Sequence, residues 1–171
     1  MTSVYLSLGS NIDRHRHIKA GLDALAEQFG DLTVSSVFES EAVGFSGNNF
    51  LNLAVGIDTD LSVAELSEQL KGIEAAHGRE RQAPKFSSRT LDIDILTYDD
   101  WVGEQAGVRL PRPEIIQNAF VLQPLAEIAP DQKHPELNLS YAELWRRYDK
   151  TTQILWPVDF HWRGQQVSVA K

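Results

Sequence analysis

Asp92 and Asp94 stand two positions apart in Leu91-Asp92-Ile93-Asp94-Ile95-Leu96, where apolar residues alternate with acids. Alternation of period two reads as a strand, so both carboxylates project from one face while Leu91, Ile93 and Ile95 enter a core. At about 5 Å and an effective dielectric near 20, two such charges repel by roughly 3 kcal/mol, which calls for a cation between them. Oxygen-only donors suit Mg²⁺, an ion usually held by one or two carboxylates together with substrate phosphates; a pair of such ions can clamp a phosphoryl transfer. An exposed strand edge, or two aspartates each paired with an arginine, fits the same spacing.

The segment before this pair has the opposite character. Residues 79–89 hold Arg79, Arg81, Lys85 and Arg89 against Glu80 alone, a local charge of +3 in a chain of net charge −8. Guanidinium groups bind phosphate oxygens in bidentate fashion and stabilise charge that builds during phosphoryl transfer. A solvated basic loop is the competing reading, and the adjoining acids tip the balance toward a phosphate site. Phe50 and Asn52 share one face of another alternating run, where an amide can read the donor and acceptor edge of a heterocycle beside an aromatic ring. Gly9-Ser10-Asn11 lacks both the dinucleotide-loop spacing and the lysine of a P-loop, and is read as a turn and helix cap. The five histidines, His15, His17, His77, His134 and His161, show no ligand spacing supported by other donors.

The elements that must hold these groups follow from periodicity. Val4, Leu6 and Leu8 alternate as a strand, and Ile18, Leu22, Leu25 and Phe29 place one apolar stripe on a helix that Gly30 can end. Leu32, Val34 and the run from Ser36 to Phe38 suggest a second strand, and Leu51, Leu53, Val55 and Ile57 a third. Ser62 and Glu65 have capping-box spacing before a second stripe, Leu66, Leu70, Ile73 and His77, that ends at Gly78. With the strand that carries the acids, the order is β-α-β-β-α-β. That order predicts an α+β, ferredoxin-like fold in which both helices cover one face of an antiparallel sheet and the site occupies the other. Beyond it, residues 115–125 and 142–147 read as further helices. From Thr151 onward, Trp156, Phe160 and Trp162 follow no clear period, and this segment is expected to dock on the domain or on a partner. The division expected is one domain over residues 1–150 and a tail over 151–171.

The 171 residues are 42% hydrophobic and 23% charged, ordinary for one globular domain. Such a chain should bury roughly 70% of its extended surface, enough for a core without staples. The absence of cysteine excludes a disulfide scaffold, thiolate zinc and cysteine nucleophiles, and fits a reducing compartment. The net charge of −8 repels nucleic acid and anionic lipid, so neither is an expected partner. Neither a signal peptide nor an apolar run long enough for a membrane span is seen, which makes a cytoplasmic protein the expectation.

Taken in order, several segments resemble the 6-hydroxymethyl-7,8-dihydropterin pyrophosphokinase family, whose members transfer pyrophosphate from ATP to a pterin alcohol and release AMP. They are Ser7-Leu8-Gly9-Ser10-Asn11, Phe50-Leu51-Asn52, Ile73-Glu74, Gly78-Arg79-Glu80-Arg81, Arg89-Thr90-Leu91-Asp92-Ile93-Asp94-Ile95-Leu96, Leu110-Pro111, Phe120-Val121-Leu122, Pro124-Leu125 and Glu127-Ile128-Ala129-Pro130. The resemblance runs from residue 3 to about 130. It implies that Asp92 and Asp94 bind two Mg²⁺ ions and that Arg79 and Arg89 position the triphosphate and stabilise its transfer. It further implies that Glu74, Arg81 and Arg112 serve the nucleotide, and that the pterin meets Asn52, Val43 and Gly44 with its ring between Phe50 and Phe120. The partners implied are ATP and the hydroxymethyl pterin, taken up by a monomer or weak homodimer.

The chain departs from the family at four places. Lys85-Phe86-Ser87-Ser88-Arg89 replaces Arg-Trp-Gly-Pro-Arg, Arg112 stands where the family has a histidine, Asn118 where an arginine is frequent, and Ser40-Glu41-Ala42-Val43-Gly44 lacks the proline of the substrate loop. Two other readings accommodate these changes: a diverged, non-catalytic pterin or nucleotide binder, and a pyrophosphokinase for a related hydroxylated heterocycle.

Overall fold

The structure is a computed structural model that describes residues 1–42, 47–78 and 90–171. Strand β1 (Thr2–Ser10) leads into helix α1 (Arg14–Phe29), and after β2 (Thr33–Val34), β3 (Phe38–Ser40) and β4 (Phe50–Thr59) comes helix α2 (Val63–Ala76). Strand β5 (Asp92–Tyr98) completes the core, and its Ile93 and Ile95 join Leu6 and Leu8 of β1 and Leu53 and Val55 of β4 on one face. The pairing order β5-β1-β4-β3 is antiparallel throughout, which is the ferredoxin-like arrangement. Leu6 and Leu8 of β1, Leu51, Leu53 and Val55 of β4 and Ile93 of β5 bury against Ile18, Leu22 and Leu25 of α1 and Leu66, Leu70 and Ile73 of α2. Each such side chain contributes about 1.5–3 kcal/mol when fully removed from water.

Helix α1 ends at Gly30, which takes φ +80° and donates its N–H to Ala26 O at 2.9 Å. Helix α2 begins with the expected reciprocal cap: Glu65 N–H donates to Ser62 Oγ at 3.1 Å, and Ser62 N–H to Glu65 Oε1 at 3.0 Å. Ser62→Ala should therefore lower stability by about 1 kcal/mol, visible as a lower urea midpoint at unchanged slope.

Two expectations change in the structure. The run from Leu32 to Phe38 is two short strands and not one, because Ser35 and Ser36 divert the backbone. Ser35 Oγ accepts the Ala54 N–H at 2.9 Å, while Ser36 gives its N–H and its hydroxyl to the two oxygens of Glu127, both at 2.6 Å. The segment from Ile115 to Leu125 is likewise broken, into α3 (Glu114–Gln117) and α4 (Ala119–Ile128), at Asn118, whose backbone is extended.

A hairpin of β6 (Gly103–Gln105) and β7 (Val108–Leu110) precedes α3, and α5 (Tyr141–Arg147) follows α4. Helices α3, α4 and α5 cover part of the second sheet face, where Ile115, Val121, Leu122, Leu125 and Tyr141 bury Ala54 and Leu96. The chain then returns to the sheet. Strand β8 (Leu155–Pro157) pairs with β3 and extends the sheet to six strands, and a hairpin of β9 (Phe160–Trp162) and β10 (Gln165–Ser168) reaches α1. There Phe160 stacks on His15, and Trp162 and Arg163 both donate to Asp23 Oδ1, at 2.9 and 2.8 Å. Among the described residues, no helix is long and apolar enough to cross a membrane.

Candidate active site

The part of the second face left by α3–α5 carries a polar row. In the β-sheet register Gly9 lies opposite both Asp92 on β5 and Asn52 on β4, and Ser7 lies opposite both Asp94 and Ala54. Directly paired residues of an antiparallel sheet share a face, with strands about 4.8 Å apart, so Asp92, Gly9 and Asn52 form one line and Asp94 and Ser7 the next. Contrary to the turn expected from Gly9-Ser10-Asn11, Gly9 lies within β1, and Ser10 is the last residue of that strand. Helix α1 takes Asp13 as its N-cap without a side-chain cap.

The glycine is required by space. A Cβ at position 9 would lie 2.6 Å from Asn52 Nδ2, so the Asn52 amide rests across the bare backbone of β1. Asn52 is buried, and its Oδ1 has no hydrogen-bond partner among the described residues. An orphaned buried acceptor of this kind normally costs 1–3 kcal/mol, an expense sensible where a ligand donor completes it.

The acids are held by the edge of their own strand. Glu74, buried on α2, accepts the Ile93 N–H through Oε2 at 2.7 Å, between the two aspartates. Arg112 donates Nε to Ile95 O at 2.8 Å and its N–H to Leu96 O at 2.9 Å. Its guanidinium stands 4.0 Å from Asp94 Oδ1 and 3.5 Å from Glu114 Oε2. Burial, then the neighbouring Asp92 carboxylate, pushes the Asp94 carboxyl up to about 8, against the pull of Arg112. Both side chains offer only oxygen, the donor type that suits Mg²⁺. Among the described residues no cluster of three or more His, Asp or Glu could hold a metal unaided, so an ion here would need oxygens from its substrate, as Mg²⁺ commonly does.

Residues 5–130 match the family model for 7,8-dihydro-6-hydroxymethylpterin-pyrophosphokinase, HPPK. The chain belongs to the HPPK family. A 2-amino-4-hydroxy-6-hydroxymethyldihydropteridine pyrophosphokinase of Aquifex aeolicus is 38% identical over 79% of this chain and 85% of its own length. The enzyme of that name from Bacillus subtilis is 40% identical over 72% and 76%. Among solved structures, Plasmodium falciparum HPPK-DHPS with pteroate is 14% identical and has a TM-score of 0.71, covering 98% of this chain, which spans 47% of that one. That likeness supports the HPPK fold.

Of the site residues expected from sequence, the HPPK sheet brings Asp92, Asp94 and Asn52 onto one face, with Phe50 two positions before Asn52 on β4. Phe120 sits in the first turn of α4, which packs on β4. Glu74 lies on α2 and Arg112 beside Asp94, both tied to β5. Arg79, Arg81, Arg89, Val43 and Gly44 lie outside the described residues, as do residues 85–88. Sequence reasoning missed Gly9, although a glycine closing a strand of strong alternation is itself a sign of close backbone approach.

Proposed function

We propose that this HPPK-family chain transfers pyrophosphate from ATP to 6-hydroxymethyl-7,8-dihydropterin, giving AMP and the pterin diphosphate, and that residues 1–150 hold the catalytic machinery. What carries the reading is the row Asp92–Gly9–Asn52: an acidic pair for the nucleotide side and, across β1 from it, a buried amide oxygen for the heterocycle that has no hydrogen-bond partner among the described residues. In this assignment Asp92 and Asp94 hold two Mg²⁺ ions, which when bound supply neutralisation of the polyphosphate charge. Asn52 Oδ1 accepts a ring N–H of the pterin, with Phe50 and Phe120 flanking the ring and Val43 and Gly44 completing the pocket. Arg79 and Arg89 grip the phosphates and stabilise charge at the transferred group, while Arg81, Arg112 and Glu74 serve the nucleotide side.

The pterin hydroxyl oxygen forms a bond to the β-phosphorus as the bond from that phosphorus to the α–β bridging oxygen breaks. The bridging oxygen leaves on AMP and the hydroxyl proton is released, with no covalent enzyme intermediate. Arg112 and Glu74 contribute by fixing the strand on which the acids stand. The protein acts in the cytoplasm, as a monomer or weak homodimer.

Incubation with MgATP and the hydroxymethyl pterin should give AMP in step with pterin diphosphate, and removal of Mg²⁺ by chelation should stop it. ADP as product, or AMP formed equally without pterin, would overturn the assignment. Tight pterin binding without AMP release would select a non-catalytic binder.

A further inference from the structure

Helix α4 is capped by a residue far along the chain. Its N-cap, Asn118, makes no side-chain cap of its own, which leaves the first amides of the helix in need of an acceptor. Gln153 supplies it: Oε1 accepts the Ala119 N–H at 2.8 Å, and Nε2 donates to Asn118 Oδ1, also at 2.8 Å.

The turn before Gln153 is locked in place. Thr151 gives its N–H and its hydroxyl to Asp149 Oδ1 at 3.0 and 2.6 Å, and the Thr152 hydroxyl donates to Asp149 O at 2.9 Å. Just upstream, the Tyr148 hydroxyl donates to Gln117 O at 2.8 Å, so the end of α3 is tied to the same stretch. Two residues after Gln153 the chain enters the sheet, where Leu155 pairs with Ser40 and Ser40 pairs with Phe50. Residues 153–155 thus link the helix turn that carries Phe120 to the strand row that carries Phe50.

We propose that Gln153 is a positioning residue of the heterocycle site, a brace that sets Phe120 relative to Phe50. The inference rests on the pterin reading above. It also gives Asn118 a role in this chain: its amide is the seat of the brace.

The test is titration calorimetry with 6-hydroxymethylpterin, in the presence of Mg²⁺ and an inert ATP analogue, on the full chain. Gln153→Ala is expected to weaken pterin binding roughly tenfold, the scale of one or two lost hydrogen bonds, and to leave binding of the nucleotide analogue within about twofold. Gln153→Glu should restore it. A carboxylate still accepts the Ala119 amide, is favoured at a helix N-terminus, and can receive the Asn118 NH₂ once that amide turns over. Amide hydrogen exchange at Ala119–Val121 should quicken in the alanine variant and return in the glutamate one.

Pterin binding and exchange unchanged in Gln153→Ala would overturn the proposal. So would equal weakening of pterin and nucleotide in both variants, which marks a general loss of structure. A wild-type chain that binds nucleotide but no pterin would instead remove the functional reading, and the exchange measurement would then judge the cap alone.

Discussion

Asp94→Asn is expected to lower turnover by roughly 10³-fold or more and to leave the fold standing, since it removes a charge that develops its value only against the polyphosphate. The same change should steady the metal-free protein. Burial and the Asp92 carboxylate push the Asp94 carboxyl up to about 8, above its ordinary value of 3.8. The folded state therefore binds this proton more tightly than the unfolded chain does. That contribution to stability is complete below about pH 4 and is lost as the pH rises through about 8.

The Asp94 side chain keeps 39% of its surface accessible, so solvent screens much of the penalty. A gain of about 1–2 kcal/mol for Asp94→Asn at pH 8 without metal is the corresponding expectation. Thermal melts across pH 4–9, with and without Mg²⁺, check the sign: wild type should lose stability toward high pH without Mg²⁺, and the variant should follow a flatter curve. Wild-type turnover in Asp94→Asn would defeat the metal assignment.

Gly9→Ala is the second large effect. The added Cβ meets Asn52 Nδ2 at 2.6 Å, and the intruded atom is the tip of a side chain that can swing away. Position 9 is ordinary extended strand with no positive φ, so alanine meets no backbone strain there. Stability should fall little, within about 1 kcal/mol, but the displaced amide would no longer present its acceptor to a heterocycle. Pterin affinity should drop roughly 10²-fold, the discrimination typical of a site built around a buried hydrogen bond, while MgATP binding is retained. Calorimetry on each ligand separately makes the comparison. Equal loss of both ligands would mean that the row Asp92–Gly9–Asn52 does not divide into nucleotide and heterocycle ends.

How much of this was legible beforehand depended on periodicity. Alternation in β1, β4 and the first half of β5 and the helical stripes of α1 and α2 each commit a set of side chains to one face. The burial of Leu8, Leu53 and Ile93, with Asp92 and Asn52 on the reverse, follows from pattern alone. The Ser62–Glu65 box was readable for a similar reason, being a local arrangement complete within four residues.

What escaped was set by partners distant in sequence. Ser36 breaks its strand by bonding Glu127, 91 positions away, and no local signal carries that. Asn118 divides an apolar run because Gln153 is there to cap the second half. The tail has no period because Phe160, Trp162 and Leu155 face different things: a histidine ring, an aspartate and a neighbouring strand. Gly9-Ser10-Asn11 is turn chemistry and predicts a turn, and the need for close approach at Gly9 outweighs it.

Fibril growth and strand exchange both begin at a sheet border whose amides and carbonyls are unspent. On the border formed by β5, the amide of Ile93 and the carbonyls of Ile95 and Leu96 are taken up by Glu74 and Arg112 of the same molecule. The two residues that hold the acids in place thereby also blunt self-association at the very strand that a crowded cell would otherwise recruit into aggregates.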